Sequence, residues 1–275
     1  MITAMPRIAI AVHDFDAAVA AFRDAFGMPV FDFSARTAAD LGAHVGMCMP
    51  PGGSNIELMA PANPALPLSQ AIQKTLDRRG EGYYALMLEA PVPDEEAEIL
   101  LGRGHAVLPL MKGAGGRDIH PRSTHGVLIR VYPDGSVHNP DGLQSESPGL
   151  TGIMRAVIAT ADARQAADAY GRGFGLPVGD VVQDAERGVT AVTITPPKGG
   201  VIEVVSVTDA ERPFGGAVAT ALAERGEGLF AIVLQADDPD AAVEVLRSRG
   251  VTVGGLDGRE ALVCGARILI EARPS

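Results

Sequence analysis

The chain of 275 residues is 47% hydrophobic and 21% charged, with a formal net charge of −11. That is the composition of a globular protein able to bury one large or two small cores, and its charge, with no Lys/Arg-rich run, would repel nucleic acid or an anionic membrane. No apolar tract reaches the roughly 20 residues of a membrane span, and the start MITAMPRIAI lacks the basic and apolar segments of a secretion signal. The expectation is a soluble, cytoplasmic protein without nucleic-acid or membrane partners. Its two cysteines, Cys48 and Cys264, sit in apolar strand-like runs and read as core thiols.

In chain order, PRIAIAV (6–12) reads as a strand with Ile8, Ile10 and Val12 on one face and Arg7, Ala9 and Ala11 on the other. Asp14 then N-caps a helix that ends at Gly27. Strands separated by Gly/Pro turns follow, among them ADLGAHVGM, carrying Asp40 and His44, and NIELMAP, carrying Glu57. After GEG (80–82) the order restarts: a strand from Tyr84 to Glu89, a helix in DEEAEILLGRG (94–104), a glycine-rich KGAGGRD (112–118), and HPRSTHGVLIRV with His120, His125 and Arg130. The glycine-rich segment lacks the spacing of a phosphate loop and reads as a loop, with anion binding by its N–H groups as the alternative. All six histidines lie in the first half, His13 and His138 among them in loops.

The second half repeats the first. RIAIAVHDFDAAVAAFRDAFGMPVFD (7–32) aligns without a gap to RAVIATADARQAADAYGRGFGLPVGD (155–180), PGGSNIELMAP to PKGGVIEVVSV, and GEGYYALMLEA to GEGLFAIVLQA. A Pro/Gly/Ser-rich stretch, 139–152, reads as the linker. The chain is thus expected to be α+β, with four βαβββ modules forming two tandem domains, residues 1–145 and 150–275.

This order, with GAGGRDIHPRSTHGVLIRV (113–131) above all, resembles the vicinal oxygen chelate (VOC) superfamily of glyoxalases, extradiol dioxygenases and bleomycin-resistance proteins, nearest its methylmalonyl-CoA epimerase branch. The resemblance implies that each pair of modules forms a cup whose floor holds a divalent metal. Matched motif by motif, the metal-ligand positions carry Arg7, Glu57, Ala85 and Arg130 in the first half and Arg155, Glu203, Ala231 and Glu271 in the second. A guanidinium has no lone pair to give a metal. No cofactor is therefore expected, although Glu203 and Glu271 could hold Mg or Ca weakly opposite Arg155.

Two readings of the arginines remain open. In one, Arg7 with Glu57 and Arg155 with Glu203 are ion pairs standing in for the metal. In the other, Arg7 and Arg130, balanced by one Glu, hold an anion or a developing enolate. The second reading makes the protein a metal-independent isomerase, epimerase or lyase acting on a small acidic or acyl-thioester substrate. Arg7, Arg130, Tyr84 and His44 would then contact substrate, and Glu57, Asp40 or His125 would move the proton. Glu186, in DAERGV, is the corresponding acid of the second half. The alternative is a non-catalytic binder that sequesters a small molecule, as bleomycin-resistance relatives do; a metal-dependent extradiol-type dioxygenase ranks third. The partner expected is a small, anionic molecule, and the oligomeric state a monomer or homodimer.

Overall fold

A computed structural model describes residues 1–111, 113–137 and 145–273; Lys112, His138 and the linker residues 139–144 lie outside the described residues. In β1 (Ala4–Ala11), Ile8 and Ile10, with Val12 just beyond, enter the core beneath the helices, while Ala9 and Ala11 join Ala43, Val45, Met59, Ala85 and Met87 on the opposite face. That opposite face is the cup. The Asp14 carboxylate accepts the Ala17 N–H at 3.0 Å and starts α1 (Phe15–Ala20), which continues as a π-helical turn (Ala21–Ala25) and leaves at Gly27, φ +66°. The same device recurs 148 residues later, where Asp162 caps α5 (Ala163–Asp168) and Gly175, φ +68°, ends the segment.

The first domain continues with β2 (Val30–Asp32), α2 (Ser34–Asp40), β3 (Ala43–Cys48), β4 (Asn55–Pro61), α3 (Pro67–Arg79), β5 (Gly82–Ala90), α4 (Pro93–Gly102), β6 (Arg117–Ile119) and β7 (Ile129–Pro133). The second is built from β8 (Leu150–Ala159), α5, β9 (Val178–Asp184), β10 (Val189–Ile194), β11 (Val201–Val207), α6 (Pro213–Arg225), β12 (Gly228–Ala236), α7 (Pro239–Ser248), β13 (Val253–Gly254), β14 (Glu260–Val263) and β15 (Ala266–Ala272). The sheets run β2-β3-β4-β1-β5-β7-β6 and β9-β10-β11-β8-β12-β15-β14-β13. The order is the same twice, with an isolated Val107–Ile119 bridge where the second sheet has β13. The fold is α+β with two tandem domains, each a mixed sheet with helices on it.

Register corrects one sequence match. Leu86 pairs with Ile129 and Ile232 with Ile268, so the counterpart of Arg130 is Leu269, and Glu271 answers Tyr132. The cause is a change of chain length before the last strand: β15 follows a tight turn from β14, whereas β7 is entered from a 3-10 turn at Pro121–Ser123. A two-residue shift keeps the same face, so Glu271 still points into the cup.

Two helices were not expected from the sequence. α3 lays Leu68, Ile72 and Leu76 into the first cup, and α6 lays Phe214 and Val218 into the second. Each has Pro at its first turn and ends at a glycine in a left-handed conformation, Gly80 or Gly226. The 3.6-residue spacing of their apolar residues carried that signal. α2 is a third addition: the first domain has a helix between its outer strands where the second has a plain β9–β10 hairpin.

The two domains share one core. Phe22, Phe26 and Leu100 belong to the same cluster as Tyr170, Phe174 and Leu246, and the Tyr170 hydroxyl donates to the Thr124 carbonyl at 3.1 Å. Backbones meet closely at the seam: a Cβ on Gly53, φ +74°, would lie 1.8 Å from the Ile153 carbonyl oxygen. No helix among the described residues is long and apolar enough to cross a membrane.

Candidate functional site

Strand parity puts Arg7, Glu57, Glu89, Arg130 and Tyr132 on the cup face. Arg7 and Glu57 are both buried, and the Arg7 Nε donates to Glu57 Oε2 at 2.5 Å. Arg7 Nη1 donates to the Ser136 hydroxyl at 2.8 Å, and Ser136 in turn donates to Glu89 Oε1 at 2.6 Å. The Arg7 guanidinium also lies 4.3 Å from the centre of the Tyr132 ring, a cation–π contact. Burial by itself would depress the Arg7 pKa; Glu57 and Tyr132 outweigh it and hold the group above its ordinary value.

Arg130 is not a free cation. It faces Asp118 directly across the β6–β7 pair and is held bidentately, Nε to Oδ1 and Nη2 to Oδ2, both at 2.5 Å. Burial lowers its pKa, and the Asp118 hydrogen bonds more than restore it. The glycine-rich loop lies over it, a Cβ on Gly116 falling 3.0 Å from Arg130 Cγ. The expected balance of two cations against one carboxylate is therefore corrected: Glu57, Asp118 and Glu89 are three buried carboxylates against Arg7 and Arg130. Asp118, Ser136, Glu89 and Tyr132 are the residues sequence reasoning missed. The cross-strand placement of Asp118 and the i, i+2 spacing of Tyr132 from Arg130 were the available signals.

The floor opens on a cavity of about 440 Å³, within the range of small-molecule sites. Arg7, Glu57, Tyr132 and Ser136 form its polar end; Val45, Met47, Met59 and Leu68 supply apolar wall; Phe33, Arg36, Thr37 and Asp40 come from α2 and the residue before it. Asp40, exposed at the helix end, makes no hydrogen bond or ion pair among the described residues. Of the residues expected at the site, Arg7, Glu57 and Asp40 are thus brought together.

The others are not. His44 lies on the far side of its strand, because Val45 and Met47 take the cup face, and its ring stacks on Phe15 at 5.5 Å. His125 sits at the domain seam, φ +50°, with Nδ1 3.1 Å from Glu227 Oε2 of the second domain. The chain is brought there because Gly126 meets the Glu227 backbone, leaving a Cβ only 1.8 Å from its carbonyl oxygen. Tyr84 packs on the cup's apolar cluster within electrostatic reach of Arg130, Asp118 and Tyr132, yet lines a separate cavity of about 70 Å³ between the domains; desolvation pushes its phenol up to about 12. His120 accepts the Arg122 N–H at 3.0 Å and fixes the turn before β7.

The second cup is filled differently. Arg187, from the β9–β10 hairpin, donates to both Glu203 oxygens at 2.8 and 3.1 Å and to Asp184 at 2.7 Å, over the Phe214 ring at 4.9 Å. Arg155 lies 3.4 Å from Glu203 and donates to Glu271 at 2.5 Å. Phe214 and Phe230 pack edge to face at 5.6 Å. Glu186 is exposed.

Neither set of residues fits a divalent cation. In the first cup the donors would be Glu57 alone beside Arg7, Ala85 and Arg130; in the second, the Glu203 and Glu271 carboxylates are taken up by guanidiniums. Among the described residues no group of three or more His, Cys, Asp or Glu is placed to hold a metal.

Residues 7–120 match the family model of the glyoxalase/bleomycin resistance protein/dioxygenase superfamily, and residues 156–267 match that of a glyoxalase-like domain. No curated protein matches the chain. Among solved structures, a triple mutant of 4-hydroxymandelate synthase from Streptomyces coelicolor superposes with a TM-score of 0.66 at 14% identity, over 92% of this chain and 77% of that one. A xylose isomerase-like TIM barrel/4-hydroxyphenylpyruvate dioxygenase fusion protein gives 0.59 at 15% identity, over 91% of this chain and 39% of that one. These are likenesses of fold. A Streptomyces coelicolor methylmalonyl-CoA epimerase is 28% identical over 51% of this chain and all of its own, but at a TM-score of 0.41 it carries no argument.

Proposed function

We propose, from the premise that this chain is a tandem pair of glyoxalase-like domains of the vicinal oxygen chelate superfamily, that it binds a small molecule in the first cup without a metal, the second domain serving as structural support. The observation that carries this is the buried Arg7–Glu57 pair at the floor of the 440 Å³ cavity. A guanidinium in that place has no lone pair to give a metal and engages the one carboxylate left at the ligand positions, so it stands where a metal would otherwise be held. Purified protein should therefore hold far less than one equivalent of Fe, Mn, Co or Zn, and chelation should leave its melting temperature and ligand binding unchanged. A stoichiometric metal lost together with binding would refute the proposal.

Within that site the reading favoured is proton transfer at a carbon next to a carbonyl, an isomerase, epimerase or lyase. Among the described residues Asp40 is an unpartnered carboxylate at one side of the cavity, and the Arg7 Nη2 at its floor makes no hydrogen bond, leaving it to polarise a carbonyl oxygen. Incubation in D2O with a panel of acyl thioesters and 2-oxo acids tests it: deuterium should enter the substrate with the native protein and fail to enter with Asp40→Asn. The second reading, a sequestering binder, is favoured by the neutralised Arg130, which leaves one cation rather than two to stabilise an enolate. Saturable binding with no exchange would select it. A dioxygenase has the weakest support, since its metal would lack donors.

A further inference from the structure

The Arg7–Glu57 pair is only half used by the protein. A guanidinium carries five N–H donors on three nitrogens, and a carboxylate two acceptor oxygens. Nε and Nη1 of Arg7 are taken by Glu57 Oε2 and Ser136, whereas among the described residues Nη2 and Glu57 Oε1 make no hydrogen bond, the guanidinium meeting Tyr132 through its ring. Neither atom is among the buried polar atoms sealed from water without a partner, which are Glu96 Oε1, His105 Nδ1, Arg117 Nε and Arg155 Nε. Both residues line the cavity. Because Nε and Oε2 are already joined at 2.5 Å, the free donor and the free acceptor are held next to each other at its floor.

Net charge decides what can meet them. The cup floor holds three buried carboxylates for two guanidiniums, and Arg130, bidentate to Asp118, has no Nε or Nη2 hydrogen to spare for a ligand on that edge. An anionic head group would meet Glu57 Oε1 lone pair to lone pair, with no uncompensated cation to offset the repulsion. An uncharged group with a carbonyl oxygen beside an N–H completes both halves at once.

On the reading of the first cup as a ligand site, we infer that it recognises the amide edge of an uncharged carboxamide or lactam, the carbonyl accepting from Arg7 Nη2 and the N–H donating to Glu57 Oε1. The apolar body of such a ligand lies against Met47, Met59 and Val45.

Three probes of one shape separate the possibilities: benzamide, benzoate and acetophenone, titrated against protein labelled at the methionine methyls, with Met47 and Met59 reporting the cup. Benzamide should shift those two methyls and bind about tenfold more tightly than either analogue, a difference of about 1.4 kcal/mol. In Glu57→Gln, whose side-chain N–H₂ turns to the ligand, benzamide should lose that advantage and benzoate should gain. A native preference for benzoate, or a benzamide preference that survives Glu57→Gln, overturns the inference and leaves the cup as a binding site. Failure of all three probes to move Met47 and Met59 overturns the cup reading itself.

Discussion

Asp118→Asn is the sharpest test of how the first cup is held. Asp118 and Arg130 are both buried, their side chains 8% and 7% exposed, and joined by two parallel hydrogen bonds of 2.5 Å. Asparagine keeps the shape but loses the charge and turns one acceptor into a donor facing a donor. The guanidinium cannot shed its proton, and with its side chain only 7% exposed beneath Gly116 it gains little from water. Removing one member of a buried pair costs about 3–5 kcal/mol, chiefly the price of the charge left behind. Urea unfolding should show that loss as a lowered midpoint with little change in slope. The control is the double variant Asp118→Leu, Arg130→Met, which removes both charges and should recover most of the stability, since replacing a buried pair by apolar residues is often neutral. If Asp118→Asn costs less than about 1 kcal/mol, or the double variant is no better than the single one, Arg130 is solvated rather than locked, and the charge argument for the cup fails.

Three further outcomes follow from the same geometry. Gly53→Ala places a methyl 1.8 Å from the Ile153 carbonyl at a positive φ, so it should cost at least about 3 kcal/mol through the domain seam and lower the melting temperature. In the second cup Arg187→Ala should cost about 2–3 kcal/mol and Arg155→Ala only about 1, because the two arginines are equally exposed but Glu203 keeps both Arg187 hydrogen bonds when Arg155 is lost; the reverse order in chemical denaturation would contradict the pairing. Burial raises the Cys48 thiol far above its usual range and pushes Cys264 up to about 11, so at pH 8 a disulfide reagent should leave Cys48 unmodified and reach Cys264 slowly, both reacting at once on unfolding.

What the sequence revealed, and what it hid, follows from the range of each interaction. Period-two alternation in β1, the Asp14 and Asp162 caps and the Gly27 and Gly175 exits are set by neighbours within a few residues, and the internal repeat then doubled every local inference. Arg7 and Glu57 could be placed on one face for the same reason. His44 could not, because a strand with His, Gly and Met on it has no strong parity until Val45 and Met47 commit to the cup. Asp118 was missed because its partner stands 12 residues away across a pair of strands whose register depends on a 3-10 turn. That turn also misaligned Glu271 by two residues. His125 went to the domain seam through a backbone contact with Glu227, a fact of tertiary packing with no local signature.

The two cups show how one scaffold divides after duplication. Arg7 and Arg155 start from the same strand position, and each meets the residue two places beyond the old fourth ligand: Tyr132 in the first cup and Glu271 in the second. In the second, the hairpin brings Arg187 down onto Glu203, and Phe214 covers it, so every carboxylate oxygen of Glu203 has a protein partner. In the first, α2 takes the place of that hairpin's turn, and no arginine of it bonds Glu57; among the described residues one Glu57 oxygen and one Arg7 nitrogen are left without a hydrogen bond. The helix thus does two things at once. It removes the side chain that would have plugged the cup, and it sets Asp40 and Arg36 at the mouth of the space left behind. A buried pair that only tied strands together would gain from completion, as the second cup has it. Incompleteness beside an open cavity costs stability that a purely structural cup would have no reason to forgo; the second cup's own gap, Arg155 Nε, is by contrast sealed from solvent.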